Sequence, residues 1–178
     1  MCAFGCGKSA QTEAKLFSLT MERNNAVGPC NKYRVKIESD GKVTADRSCI
    51  LFVECDGSES NGISFEKRNC PRNESETVEK QLSAEEIEEL FVEINKSNFF
   101  SFQDDYSSGS KNCSQTSTDS PNVVLSVKTD EKAKTIMHYH GCWVNKWLIQ
   151  KNALQPLISL ETKIDKTVGT ESWVAGRK

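Results

Sequence analysis

Hydrophobic and polar positions alternate along several stretches of the chain. Phe17, Leu19 and Met21 are separated by Ser18 and Thr20. Tyr33, Val35 and Ile37 alternate with Arg34, Lys36 and Glu38, and Val123, Leu125 and Val127 with Val124, Ser126 and Lys128. A period of two sends successive side chains to opposite faces of a strand, so each stretch predicts a half-buried β-strand. Residues 49–54, with the apolar run Ile50-Leu51-Phe52-Val53, and residues 134–140 also read as strands.

Turn chemistry joins these stretches into hairpins. Asp40-Gly41 supplies the positive φ values of a two-residue hairpin loop, and Val43 begins the return strand. That register brings Cys30 close to Cys49. Asp130 to Ala133 turns the chain a second time. A turn centred near Glu131 sets Met137 and Tyr139 on the core face with Leu125 and Val123, and sends His138 and Ile136 to the other face with Val124 and Ser126.

The period then changes to that of helices. Ser83 and Glu86 form a capping box, with Leu82 and Ile87 at staple spacing. Ile87, Leu90, Phe91 and Ile94 share one face, while Glu85, Glu88, Glu89 and Glu93 form a solvated one. Phe99, Phe100 and Phe102 are expected to fold back as a core plug. A last helix starts near Pro156, carries the stripe Leu157, Leu160, Ile164 and Val168, and ends at Gly169. Trp173 and Val174 are placed to pin the chain end. Residues 143–154 read as an amphipathic helical turn, with Trp143 and Trp147 on one side of it and assigned to the core. The architecture expected is α+β: an antiparallel sheet of about five strands, two helices packed on one face, and disulfide-stapled loops. Residues 56–76 and 103–121 are the polar loops.

Eight cysteines sit in this chain of 178 residues, and none forms a close C-x-x-C pair of the kind zinc sites show. The pattern predicts an exported, oxidised domain. Expected bridges are Cys30–Cys49, Cys55–Cys70 across the first polar loop, and Cys113–Cys142. The chain starts Met1-Cys2-Ala3-Phe4-Gly5-Cys6, followed by small and polar residues. A trimmed bacterial lipoprotein has this form, so lipid is expected on Cys2 or Cys6, with residues 1–13 as a flexible tail or lipoprotein tether, 14–178 as one α+β domain, and the protein in the bacterial cell envelope or secreted. The formal charge of −2 does not favour nucleic acid, which needs clustered Lys and Arg. No apolar run nears the roughly 18 residues that span a bilayer. Membrane contact is expected only through the N-terminal lipid, and the partner would be a protein or another envelope component.

Five segments resemble an uncharacterised bacterial family, a domain of unknown function found in exported proteins and lipoproteins. They are G-P-C with K-Y-R-V-K-I-E-S-D-G-K-V in residues 28–43, L-S-A-E-E-I-E-E-L with F-F in 82–100, and T-D-S-P in 118–121. H-Y-H-G-C in 138–142 and L-E-T-K-I-D-K-T-V-G-T-E-S-W in 160–173 complete the set. The resemblance implies a small α+β domain and export, and brings no activity. Family members carry a second Cys-Pro before the tyrosine where this chain has Asn31-Lys32, and the Cys55–Cys70 insertion is unusual.

His138 and His140, the only histidines, lie two apart on one strand face, and Asp119 is expected near them from the adjoining loop. Such a set suits an ion or acid–base work. G-x-S-x-G, H-E-x-x-H and a phosphate-binding glycine loop are all missing. The leading expectation is therefore a non-catalytic binding or structural domain with no cofactor, contacting its partner through the loops and the Asp119–His140 edge. The alternatives are a small metal-dependent hydrolase using Asp119, His138 and His140, and an inhibitor of a secreted enzyme.

Overall fold

The computed structural model describes residues 17–24, 32–55, 68–144 and 153–174, with side chains outside 51–70. The alternating stretches become strands β1 (Phe17–Asn24), β2 (Lys32–Ile37), β3 (Lys42–Cys55), β7 (Asn122–Thr129) and β8 (Ala133–Tyr139). The polar segments contribute β4 (Arg68–Gln81), β5 (Asp105–Tyr106) and β6 (Gln115–Thr116), and β9 (Cys142–Trp143) follows the histidine strand. One sheet of seven strands runs β4-β3-β2-β1-β7-β8-β5, and β6 pairs with β9 separately. Pairing is antiparallel except between β5 and β8.

The expected sheet of about five strands is thus too small. Arg68–Gln81 pairs along the whole of β3, although its residues from Pro71 to Thr77 are exposed. Among the described residues, β3 beyond Ser48 pairs with β4 alone. The stretch Pro71 to Thr77 is polar and exposed on both faces, so hydrophobic periodicity cannot reveal it as a strand.

One face of the sheet is apolar. Leu19, Met21, Tyr33, Val35, Ile37, Val43, Leu125 and Ile136 are all buried there. Two helices cover it, α1 (Ala84–Lys96) and α2 (Gln155–Val168), contributing Leu90 and Ile94 from the first and Leu157, Leu160 and Ile164 from the second. Complete burial of such side chains stabilises by about 1.5–3 kcal/mol each. The α1 capping box forms as expected, with the Glu86 N–H donating to Ser83 Oγ at 3.2 Å and the Ser83 N–H to Glu86 Oε2 at 2.9 Å. Helix α2 has Pro in its first turn and ends on Gly169 at φ 92°. Phe99 is buried, and Phe100 and Phe102 pack partly buried against the core. A short third helix, α3 (Glu171–Val174), presses the edge of Trp173 against the Tyr33 ring at 5.7 Å, with the Arg47 guanidinium 4.9 Å from the indole.

Both hairpin registers differ from expectation by one residue. At the first, Glu38 pairs with Lys42 and the loop is Ser39-Asp40-Gly41, three residues closed by a glycine at φ 85°. A left-handed third residue is what such loops require. At the second, the Thr129 N–H donates to the Lys132 carbonyl at 2.7 Å, and Thr129 Oγ1 accepts from the amides of Glu131 and Lys132. The loop is therefore Asp130-Glu131. Leu125 pairs with Ile136 and Val123 with His138. A one-residue slip exchanges the faces of a strand. Accordingly Ile136 and His138 are buried, while Met137 is 47% exposed. Tyr139 is buried against other groups, its hydroxyl donating to the Ser117 carbonyl at 2.6 Å.

Cys113 and Cys142 are bridged, with Cα atoms 5.3 Å apart. Cys49 is also disulfide-bonded. Cys30, the lipid candidates Cys2 and Cys6, the tether 1–13 and Trp147 fall outside the described residues, as do the Cys55 and Cys70 side chains. Trp143 is 45% exposed on β9 and is not core. Among the described residues, no helix is long and apolar enough to cross a membrane.

Candidate functional site

The core face carries charge at one end. Arg23 continues the buried phase of Phe17, Leu19 and Met21, and His138 continues that of Ile136. From the opposite side, α2 brings Glu161 and Asp165, one helical turn apart on the flank of its apolar stripe. Arg23, His138, Glu161 and Asp165 are each no more than 3% exposed. Burying charge this deeply is costly unless every group finds a partner.

They do. His138 Nδ1 lies 2.8 Å from Glu161 Oε1, and His140 Nε2 lies 2.6 Å from Glu161 Oε2. Burial alone would raise the Glu161 carboxyl, but the hydrogen bonds and charges of the two imidazoles overcome it and hold the group at about 2. Glu161 is therefore ionised and accepts, so both ring nitrogens donate. The two rings lie 4.7 Å apart, tilted by 31°.

Asp165 sits in a second set of bonds. It accepts from the Tyr33 hydroxyl at 2.6 Å, from the Thr170 hydroxyl at 2.7 Å and from Arg23 Nη2 at 3.2 Å. Burial still raises its carboxyl above the usual range, against those bonds and the Arg23 charge, and nearby Glu161 pushes the same way. Burial likewise pushes the Tyr33 phenol up, so it stays neutral. Arg23 links the two sets: Nε donates to the Tyr33 hydroxyl at 2.8 Å, and Nη2 lies 3.5 Å from Glu161 Oε2. Arg23 Nη1 is 3.5 Å from His140 Nε2, but both are donors, so this is proximity rather than a bond.

A cavity of about 320 Å³ opens beside the cluster. His140, Arg23 and Asp165 form its polar side, and Pro121, Thr162 and Val174 line the rest, with Glu171. The volume falls at the lower end of small-ligand pockets. The Cys113–Cys142 bridge stands two residues beyond His140. It ties the preceding loop to the end of the histidine strand, where the Ser117 N–H donates to the Gly141 carbonyl at 2.9 Å.

His138 and His140 meet as expected. Asp119 does not join them: it is exposed, at φ 58°, and among the described residues the third group within 4.8 Å of both imidazoles is Glu161. Glu161, Asp165, Arg23, Tyr33 and Thr170 were not foreseen as site residues. A signal existed for Arg23, a charge in phase with a buried strand face. Another existed in the Glu161 and Asp165 pair, four apart beside the apolar stripe.

Fold and site define a disulfide-tied α+β sheet domain with a buried histidine–carboxylate–arginine cluster at one end. The chain belongs to the family described as domain of unknown function DUF6438, whose family model matches residues 17–168. Thr170 and Trp173 lie beyond the matched span. Among curated proteins, no sequence matches the chain significantly.

Proposed function

We propose that this is an exported, disulfide-braced binding domain of the bacterial cell envelope, without catalysis of its own, that takes its ligand or partner at the cavity beside His140. One observation carries the non-catalytic reading. Glu161 is engaged by both histidines and Asp165 by Tyr33, Thr170 and Arg23, which leaves neither carboxylate free as a base or nucleophile. Groups held this way make a rigid wall for a ligand. Support for export comes from the Cys113–Cys142 bridge and the bonded state of Cys49, since disulfides persist in oxidising compartments. An N-terminal lipid on Cys2 or Cys6 would hold the domain at the membrane surface.

The test is capture of a partner from periplasm and culture medium, comparing wild type with Thr162→Arg. Thr162 is exposed on the cavity wall, so the bulky cation blocks the cavity without touching the cluster. A partner retained by wild type and lost by Thr162→Arg supports the reading. Equal retention by both proteins, or hydrolytic activity that depends on His140, contradicts it.

A further inference from the structure

We propose that His138 Nδ1, His140 Nε2 and the Glu161 carboxylate form a site for a divalent transition-metal ion of the zinc class. The inference goes beyond the binding reading and stands independently of any partner. The three ligand atoms lie within 4.8 Å of one another, two from one strand and one from the helix facing it. A tetrahedral zinc ion with bonds of about 2.0–2.1 Å holds its ligand atoms roughly 3.3 Å apart. The present separations, 2.8 Å from His138 to Oε1 and 2.6 Å from His140 to Oε2, must lengthen by about 0.5 and about 0.7 Å to reach that spacing. Two imidazoles with one carboxylate is a donor set that suits zinc among the first-row ions.

Each imidazole now places its N–H toward Glu161. For the nitrogen to coordinate, that proton either moves to the ring nitrogen turned away or is released to solvent, so each ring binds the ion through an unprotonated nitrogen. Glu161 is held ionised and so offers an anionic oxygen to a cation. Arg23 opposes the ion at 3.5 Å from Glu161 Oε2, but Asp165 holds that guanidinium in its own bond at 3.2 Å. The cavity beside His140 supplies the side from which water or a ligand atom would complete the coordination.

Oxidised, chelator-treated protein carrying Cys2→Ser and Cys6→Ser, so that tail thiols do not compete, is titrated with zinc chloride by calorimetry and with cobalt chloride by visible absorption. The expected result is one ion per chain and cobalt bands of four-coordinate nitrogen–oxygen ligation. His140→Gln and Glu161→Gln should each weaken binding by at least about 10–100-fold, the loss that even outer-shell partners incur. Asp119→Ala should bind like the parent. Thermal melts of each variant report folding, and His140→Gln, whose ring is 20% exposed, decides the matter where Glu161→Gln does not fold. No stoichiometric binding, or undiminished binding by His140→Gln, overturns the site. Neither result bears on partner capture, so the two proposals fail separately.

Discussion

Glu161 and Asp165 are buried one turn apart on the same helix, and their carboxyls are driven in opposite directions. Two imidazole donors hold Glu161 ionised, whereas Asp165, with a neutral phenol, a hydroxyl and a shared guanidinium, stays above the usual range. Arg23 is the positive charge common to both. Arg23→Leu should destabilise the fold by about 3–5 kcal/mol in urea titrations near neutral pH, the usual cost of leaving a buried charge uncompensated. Adding Asp165→Leu should recover part of that loss, because the orphaned carboxylate is gone. A single mutant as stable as wild type would show that the cluster is not a bonded unit.

The acid limb of stability follows from the same pair. The folded value of Glu161 lies below its ordinary value of 4.5, at about 2. Its contribution is therefore complete above the unfolded value and lost as pH falls through about 2, on the order of 3 kcal/mol. Asp165 has the opposite sign. Its contribution is complete below 3.8 and is lost as pH rises through its folded value. Urea titrations of chelator-treated protein between pH 5 and 2 should show wild type losing stability more steeply than Glu161→Gln (these pH limits bracket the roughly 2–4.5 interval in which Glu161 takes up its proton).

The register of β7 and β8 can be read by substitution. Ile136 is fully buried and Met137 is 47% exposed. Ile136→Ala should cost about 2–5 kcal/mol. Met137→Ser should stay within about 0.5 kcal/mol of wild type. The reverse order of effects would restore the register in which Met137 faces the core.

The bridge Cys113–Cys142 closes a sequence separation of 29 residues. In the chain-entropy model that is worth on the order of 3.5 kcal/mol, so Cys113→Ser with Cys142→Ser should lower the urea midpoint correspondingly. Reductant should then change the double mutant less than wild type.

Most of the core was legible in the sequence because burial and period coincide there. The alternation of Tyr33, Val35 and Ile37 and the stripe from Leu157 to Val168 both became core. The histidine strand was harder, since Ile136 and Met137 are both apolar and pattern alone cannot choose between them. A threonine hydroxyl in the turn decided, and with it the face of His138. In β4 the stretch Pro71 to Thr77 is polar and exposed, and Val78 alone, among its described side chains, packs against the core. Asp119 was favoured because the expected hairpin register set its loop beside the end of the histidine strand, yet the partner found, Glu161, comes from a helix whose placement over the sheet is a tertiary fact. The family resemblance included both the histidine segment and the Glu161 segment without linking them.

The proposed export requires an oxidising home for this domain. Protein taken from its native cells, alkylated at once under denaturing conditions without reductant and weighed intact, tests this directly. The expected mass shows no reactive thiol beyond Cys2 and Cys6. Alkylation of Cys113, Cys142 and Cys49 in most of the molecules would contradict it and return the protein to a reducing compartment.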